Sequence, residues 1–310
     1  MGIGVGRVDS PQGAAMSIED LGLRGPRGWA FRSVDLHAEP GALVAIEGPS
    51  GSGRTCLLLA VTGRMRPTEG RAEVAGLQLP RGMAAVRRIS ALGPVPGVSD
   101  LDPALTVAEH LRERALLQRR FDGSFRALFR PRAERTAAAA ERVEKALAAA
   151  GLEPATLPKG ERTAVRDLER LEELRLSVAL ALIGGPRLLA VDDVGLKLSD
   201  TERAAAWDLL RSVAESGTTV VAVCNEAPED AVVVRTRPTG TGSLGDDDAD
   251  TDTDTDTDTD ETPARAPGTG ADESTDTSSA DSPAEETGKD TDVNIDEEGA
   301  ADAIAETGRA

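Results

Sequence analysis

Short apolar runs and longer stretches of helical spacing succeed one another along the first 237 residues. Ala42 to Ile46 is a brief apolar run that predicts a buried strand, and Cys56 to Val61 predicts the start of a packed helix. Arg66-Pro67-Thr68-Glu69-Gly70 marks a turn, and the alternation in Arg71-Ala72-Glu73-Val74 predicts a half-exposed strand after it. Thr106 and Glu109 have capping-box spacing and open a predicted helix to about Arg120. Pro131 is expected at the first position of another helix, whose Ala, Glu and Arg-rich body, Ala133 to Ala150, stops at Gly151. Leu188 to Val191 predicts a second buried strand. A second capping box, Ser199 to Glu202, opens a helix to about Ser216, with Gly217 as its stop, and Thr218 to Cys224 predicts a third strand ending at Asn225. Two helices between strand regions predict an α/β domain with an inserted helical subdomain at about residues 101–180.

Composition changes the picture at Pro238. From there to Ala310 the chain carries 23 acidic residues against Arg265, Lys289 and Arg309, a net of −20. The whole chain has −19, so the first 237 residues carry +1. The acidity belongs to this stretch, which includes the Asp-Thr repeat from Asp250 to Asp260 and lacks aromatic residues. It holds too little apolar surface to offset the entropy of ordering, and residues 238–310 are expected to be a disordered acidic tail. The near-neutral remainder argues against nucleic acid as a partner. Residues 1–15 are Gly-rich and weakly patterned; they are expected to be a flexible extension, with Met16 as a second candidate start. Two cysteines, Cys56 and Cys224, make no disulfide framework, and no secretory leader is visible, so a cytoplasmic setting is expected. The most apolar stretch, Leu174 to Val194, is broken by Arg175, Gly184, Gly185, Pro186 and Arg187 and is no membrane span.

The candidate chemistry begins at Gly48-Pro49-Ser50-Gly51-Ser52-Gly53-Arg54-Thr55. Its spacing is that of the phosphate loop G-x-x-x-x-G-K-[ST], in which backbone N–H groups turn around phosphates, the lysine reaches them and the hydroxyl holds Mg²⁺. Gly48, Ser50, Gly51, Ser52, Gly53, Arg54, Thr55 and Cys56 are therefore the candidate nucleotide-binding residues. Arg54 stands where the loop carries lysine; it keeps the charge but replaces a compact ammonium with a planar fork. Asp192, delivered by the apolar strand Leu188 to Val191, is the expected acid for Mg²⁺ opposite Thr55.

The order of these parts resembles the nucleotide-binding domain of ATP-binding cassette (ABC) proteins. The resemblance covers about Ser17 to Val234. It rests on Gly41 to Thr55, the turn Arg66 to Gly70, Leu105-Thr106-Val107-Ala108-Glu109-His110-Leu111, and Ser177 to Asp193 with Pro186 before the acidic strand. It implies ATP and Mg²⁺ as cofactors, paired ATP-binding domains as a homo- or heterodimer, an integral membrane transporter subunit as partner, and a position peripheral to the inner face of the membrane through that partner. It also assigns weak catalytic roles to Asp193, at the position of the glutamate after the Walker B aspartate, and to Asn225, at that of the switch histidine.

Several positions depart from the family pattern. The signature LSGGQ aligns with Leu168-Glu169-Arg170-Leu171-Glu172, which lacks the serine and both glycines and brings a carboxylate instead. The Q-loop glutamine falls near Pro94, and proline has no side-chain amide. Asn225 forms hydrogen bonds but accepts no proton. Leu196-Lys197-Leu198-Ser199-Asp200 departs from the D-loop, and the adenine-stacking aromatic is expected near Gly25, with Trp29 nearby as a packing residue. Two functions follow: an ATP-binding transporter subunit with weak or partner-dependent hydrolysis, or a catalytically inactive nucleotide-binding or scaffold protein that retains the fold. A P-loop kinase or GTPase lacks a visible base-recognition motif.

Overall fold

The structure, a computed structural model, describes residues 13–121 and 131–237. In chain order its elements are β1 (Met16–Gly25), β2 (Gly28–Ala38), β3 (Leu43–Glu47), α1 (Arg54–Val61), β4 (Glu69–Val74), β5 (Leu77–Leu79), α2 (Met83–Ile89) and β6 (Ser90–Leu92). There follow α3 (Val107–Phe121), α4 (Arg132–Ala149), α5 (Arg170–Leu182), β7 (Leu188–Val191), α6 (Asp200–Glu215), β8 (Thr219–Cys224) and β9 (Val232–Arg235). The expectations for the acidic tail fall outside the described residues.

Two sheets result. One is antiparallel, in the order β2-β1-β4-β5, and the other is parallel, in the order β6-β7-β8-β3-β9. Strands β3, β7 and β8 are almost wholly buried because both faces of the parallel sheet are covered, which is why they read as unbroken apolar runs. The period of two divides each of them between two cores. Val44, Ile46, Leu188, Val221 and Val223 pack with Leu57, Leu58 and Val61 of α1 and with Met16, Leu21 and Phe31 of the antiparallel sheet. Leu43, Ala45, Leu189, Val191, Val220 and Ala222 pack on the other face with Val178 and Ala179 of α5 and with Trp207 and Leu210 of α6. A third core joins Val107 and Leu111 of α3, Ala146 of α4, Leu176 of α5 and Ile183 just past its end.

The capping boxes form. Thr106 N–H donates to Glu109 at 2.8 Å and Ser199 N–H to Glu202 at 2.8 Å, opening α3 and α6. Gly151 lies past the end of α4 with φ 60°, the left-handed conformation that glycine adopts freely after a helix. Two expectations are corrected. Pro131 caps α4 from outside with ψ 146°, extended rather than helical, so the helix starts at Arg132. Residues 13–15 belong to the folded part: Ala14 is fully buried, and its N–H donates to Thr219 Oγ1 at 2.9 Å. Strands β1, β2, β5, β6 and β9 and helices α2 and α5 are additional to the sequence reading. β1 shifts register against both neighbours, which erases clean alternation, and β9 is mostly exposed.

Candidate functional site

Three parallel strands end at one place, and ligands of open α/β sheets bind beyond such carboxyl ends. β3 runs into the loop Gly48–Gly53 and α1, β7 delivers Asp192 and Asp193, and β8 ends beside Asn225. The loop conformation depends on glycine. Gly53 has φ 81°, and a Cβ there would lie 1.9 Å from the Ala30 carbonyl oxygen, so the loop packs directly on β2. Gly51 has φ 82° with open space around it, a conformational requirement alone.

The first turn of α1 has neither a side-chain cap nor an acidic residue. Helices α3, α5 and α6, by contrast, have glutamates in their first turns, each bonded to the backbone that opens the helix. An uncapped helix start with its N–H groups facing a glycine loop is a ready anion site, since the macrodipole favours negative charge there. The residues of the loop divide in two. Ser50 and Gly51 are exposed, whereas Ser52 is fully buried, its hydroxyl 2.6 Å from Thr236 Oγ1 and its N–H turned to the Pro49 carbonyl. The Ser52 side chain thus holds the loop to the strand end after β9, a contact the sequence motif did not reveal. A Cβ at Gly48 would meet the same Thr236 Oγ1 at 2.5 Å.

Thr55 and Asp192 are brought together. Thr55 Oγ1 donates to Asp192 Oδ2 at 2.7 Å, while Asp192 Oδ1 accepts from the Asp193 N–H at 3.0 Å. Asp192 is 4% exposed. Burial, reinforced by the Asp193 charge and opposed by the Thr55 hydrogen bond, raises its pKa above the ordinary 3.8. A buried carboxylate beside a hydroxyl at an anion-binding loop suits Mg²⁺, which takes one or two protein oxygens and fills its remaining positions with phosphate and water. Cys56, half-buried next to them, has its thiol pKa raised by burial and by Asp192 and offers no reactive thiolate.

Arg54 reaches the ends of β7 and β8. Its guanidinium Nη1 donates to the Cys224 carbonyl at 2.7 Å and to Asn225 Oδ1 at 2.8 Å, and Nη2 lies 3.8 Å from Asp193 Oδ1. The residue is only 9% exposed. Asp193 is a non-glycine residue at φ 48°, a left-handed conformation that costs free energy and concentrates at functional sites. Arg54, Asp193 and Asn225, which sequence reasoning named separately, form one connected group.

The departures from the family pattern also have positions. Pro94 brings its backbone to the site, its carbonyl accepting the Asp192 N–H at 2.8 Å, but it supplies no side-chain ligand. Glu169 caps α5, and its N–H donates to Glu172 at 2.9 Å, so this helix start is closed by its own carboxylates. Pro94, Asp100, Leu101, Val165, Leu168 and Asp193 are among the residues lining a cavity of about 360 Å³ beside the acidic strand end. Trp29 lies in β2 with the Arg24 guanidinium 5.6 Å from its ring centroid, and a Cβ at Gly22 would sit 3.1 Å from the indole. No helix among the described residues is long and apolar enough to cross a membrane.

Comparison with known proteins agrees with this geometry. The family described as ABC transporter matches residues 31–194. The chain is similar to the Nod factor export ATP-binding protein I of Cupriavidus metallidurans, 32% identical over 189 residues, covering 61% of this chain and 55% of that one. It is also similar to the phospholipid-transporting ATPase ABCA3 of Homo sapiens, 30% identical over 182 residues, covering 59% of this chain and 9% of that one. The matched region thus spans about half the length of the bacterial relative and a small part of the human one. Among solved structures, a dimeric ATP-binding cassette in a post-hydrolysis state with ADP and Pi superposes with TM-score 0.55 at 22% identity, covering 72% of this chain and 94% of that one. A Clostridium perfringens protein that is part of an ABC transporter complex superposes with TM-score 0.56 at 19% identity, covering 73% and 88% respectively. The phosphate loop, the acidic strand end and the paired sheets are those of an ATP-binding cassette, and the chain belongs to the ABC transporter family.

Proposed function

We propose that the chain binds Mg-ATP at Gly48–Cys56, with Thr55 and Asp192 as the Mg²⁺-holding residues, and that it serves as the ATP-binding subunit of a transporter whose membrane-spanning part is a separate subunit. The observation that carries this is the 2.7 Å contact of Thr55 Oγ1 with Asp192 Oδ2 below an uncapped helix start. Thr55 and Asp192 would hold Mg²⁺ there, and the ion would supply positive charge to offset that of the phosphates. Gly51 and Gly53 shape the cradle, and the first N–H groups of α1 receive the phosphates.

Hydrolysis from this site alone is weak and depends on a partner. Asn225 accepts no proton, Pro94 carries no side-chain ligand, and Arg54 is tied to strand ends. Removing one donor aimed at developing charge costs about 2.7–4 kcal/mol in related chemistry, and losses within one network couple rather than add. Pairing with a second ATP-binding domain supplies the missing donors, while Glu169 and Glu172 close this chain's own signature position to a partner's phosphate. The chain then sits at the inner face of the membrane through its partner. Equilibrium titration of Mg-ATP into the wild type and Thr55→Ala tests the site: the variant loses most of the Mg²⁺-dependent part of the affinity. Equal affinity in the two proteins refutes the metal assignment.

A further inference from the structure

The Arg54 guanidinium is held by three groups at the ends of β7 and β8: the Cys224 carbonyl, the Asn225 side chain and the Asp193 carboxylate. All three lie at strand ends, and among the described residues the arginine head group makes no hydrogen bond to the loop Gly48–Gly53. The backbone cradle and the side-chain charge, which act on the same phosphates in a lysine-bearing loop, are thus separated in this chain.

We infer that Arg54, Asp193 and Asn225 form an internal clasp that takes up the charge a terminal phosphate would otherwise receive, so that the site favours a nucleoside diphosphate over a triphosphate. This rests on the nucleotide-binding reading of the loop. A diphosphate is served by backbone N–H groups and Mg²⁺ without disturbing the clasp. A third phosphate brings further negative charge toward Asp193, and two of the guanidinium's five N–H donors are already bonded to Cys224 and Asn225. The guanidinium is suited to such a role because its fork makes several directed hydrogen bonds at once, which a lysine ammonium on a shorter reach would not reproduce. Asn225 supports the clasp as a neutral acceptor. A histidine at that position would be a donor to phosphate when protonated and would repel the guanidinium.

The test is calorimetric titration of the full chain, with Mg²⁺, by ADP and by a non-hydrolysable ATP analogue, for the wild type, Asn225→Ala and Asp193→Asn. The wild type is expected to bind ADP at least as tightly as the analogue. Each variant is expected to shift the affinity ratio toward the analogue by about tenfold, the ratio one charge-assisted hydrogen bond sustains. Thermal unfolding checks that each variant is folded, and if Asn225→Ala is not, Asp193→Asn decides alone. An analogue bound about tenfold more tightly than ADP by the wild type, or a ratio unchanged in the folded variants, overturns the clasp while leaving nucleotide binding intact. Binding of neither nucleotide overturns the nucleotide reading itself, and the clasp's role with it.

Discussion

Thr55 Oγ1 and Asp192 Oδ2 are 2.7 Å apart across 137 positions of sequence, and this bond joins the first turn of α1 to the end of β7. Its acceptor is a carboxylate that the fold has nearly removed from water. Both facts bear on stability and on the Mg²⁺ role proposed for the pair.

Asp192→Asn should raise the stability of the nucleotide-free protein at neutral pH while weakening Mg-nucleotide binding. The Asp192 pKa is raised, chiefly by burial, so the fold favours its protonated form. The stability contributed by protonation is fully present below the ordinary value of 3.8 and is lost as pH rises through the higher folded value. At neutral pH the charge is therefore a liability that the amide removes. A gain of about 1 kcal/mol would raise Tm by about 2–4 °C in a domain of this size, and it should vanish in acid. Thermal unfolding at several pH values decides it; a variant less stable at pH 7 contradicts the account.

Mg²⁺-dependent nucleotide binding should weaken as pH falls through the raised folded pKa of Asp192, that is, at a pH above 3.8. Protonation removes the form of the carboxylate that would hold Mg²⁺ in the proposed role. Affinity measured against pH in the wild type and in Asp192→Asn is the check. A pH dependence identical in the two proteins would remove Asp192 from the explanation.

Arg54→Ala should destabilise the protein, because the Cys224 carbonyl loses its charged donor in a buried setting. An acceptor left unsatisfied there costs about 1–3 kcal/mol. Arg54→Lys should instead raise triphosphate affinity or activity, since an ammonium cannot span Cys224, Asn225 and Asp193 at once. Denaturant unfolding reads the first effect and nucleotide titration the second. No gain with lysine would mean that the pocket is built around arginine.

The glycine loop before α1 and the acid at the end of β7 were legible because their pattern is local: glycine spacing, a hydroxyl, and an acid after four apolar residues. The capping boxes of α3 and α6 were legible for the same reason. The direction of Arg54 was not, since its partners lie 170 and 171 positions away and no local pattern encodes that contact. The same holds for the Ser52 hydroxyl, fixed to Thr236 across 184 positions, and for the Ala30 carbonyl that excludes any side chain at Gly53. The antiparallel strands β1 and β2 escaped the pattern because register shifts break the alternation that marks a half-buried strand.

Glu169→Ser should fold normally, because serine is among the best residues at a helix N-cap and Glu172 keeps its bond to the backbone. It removes one carboxylate from the signature position. With a second ATP-binding domain present, partner-dependent ATP turnover should rise. Unchanged turnover with intact stability would mean that this helix start does not face a partner's phosphate.

Removing residues 241–310 should leave cooperative unfolding of the remainder unchanged, because that segment supplies acidity rather than apolar surface. Differential scanning calorimetry of the two lengths is the comparison. A loss of the cooperative transition on truncation would place structural contacts beyond residue 240.

In the proposed function the site binds Mg-ATP but turns it over poorly without a partner. The most direct measurement is a calorimetric titration of Mg-ATP paired with an overnight phosphate-release assay on the same sample of the isolated chain. Saturable binding with phosphate release at background level is the expected result. Sustained release by the isolated wild-type chain, abolished in Asp192→Asn, would contradict it and establish a self-sufficient ATPase.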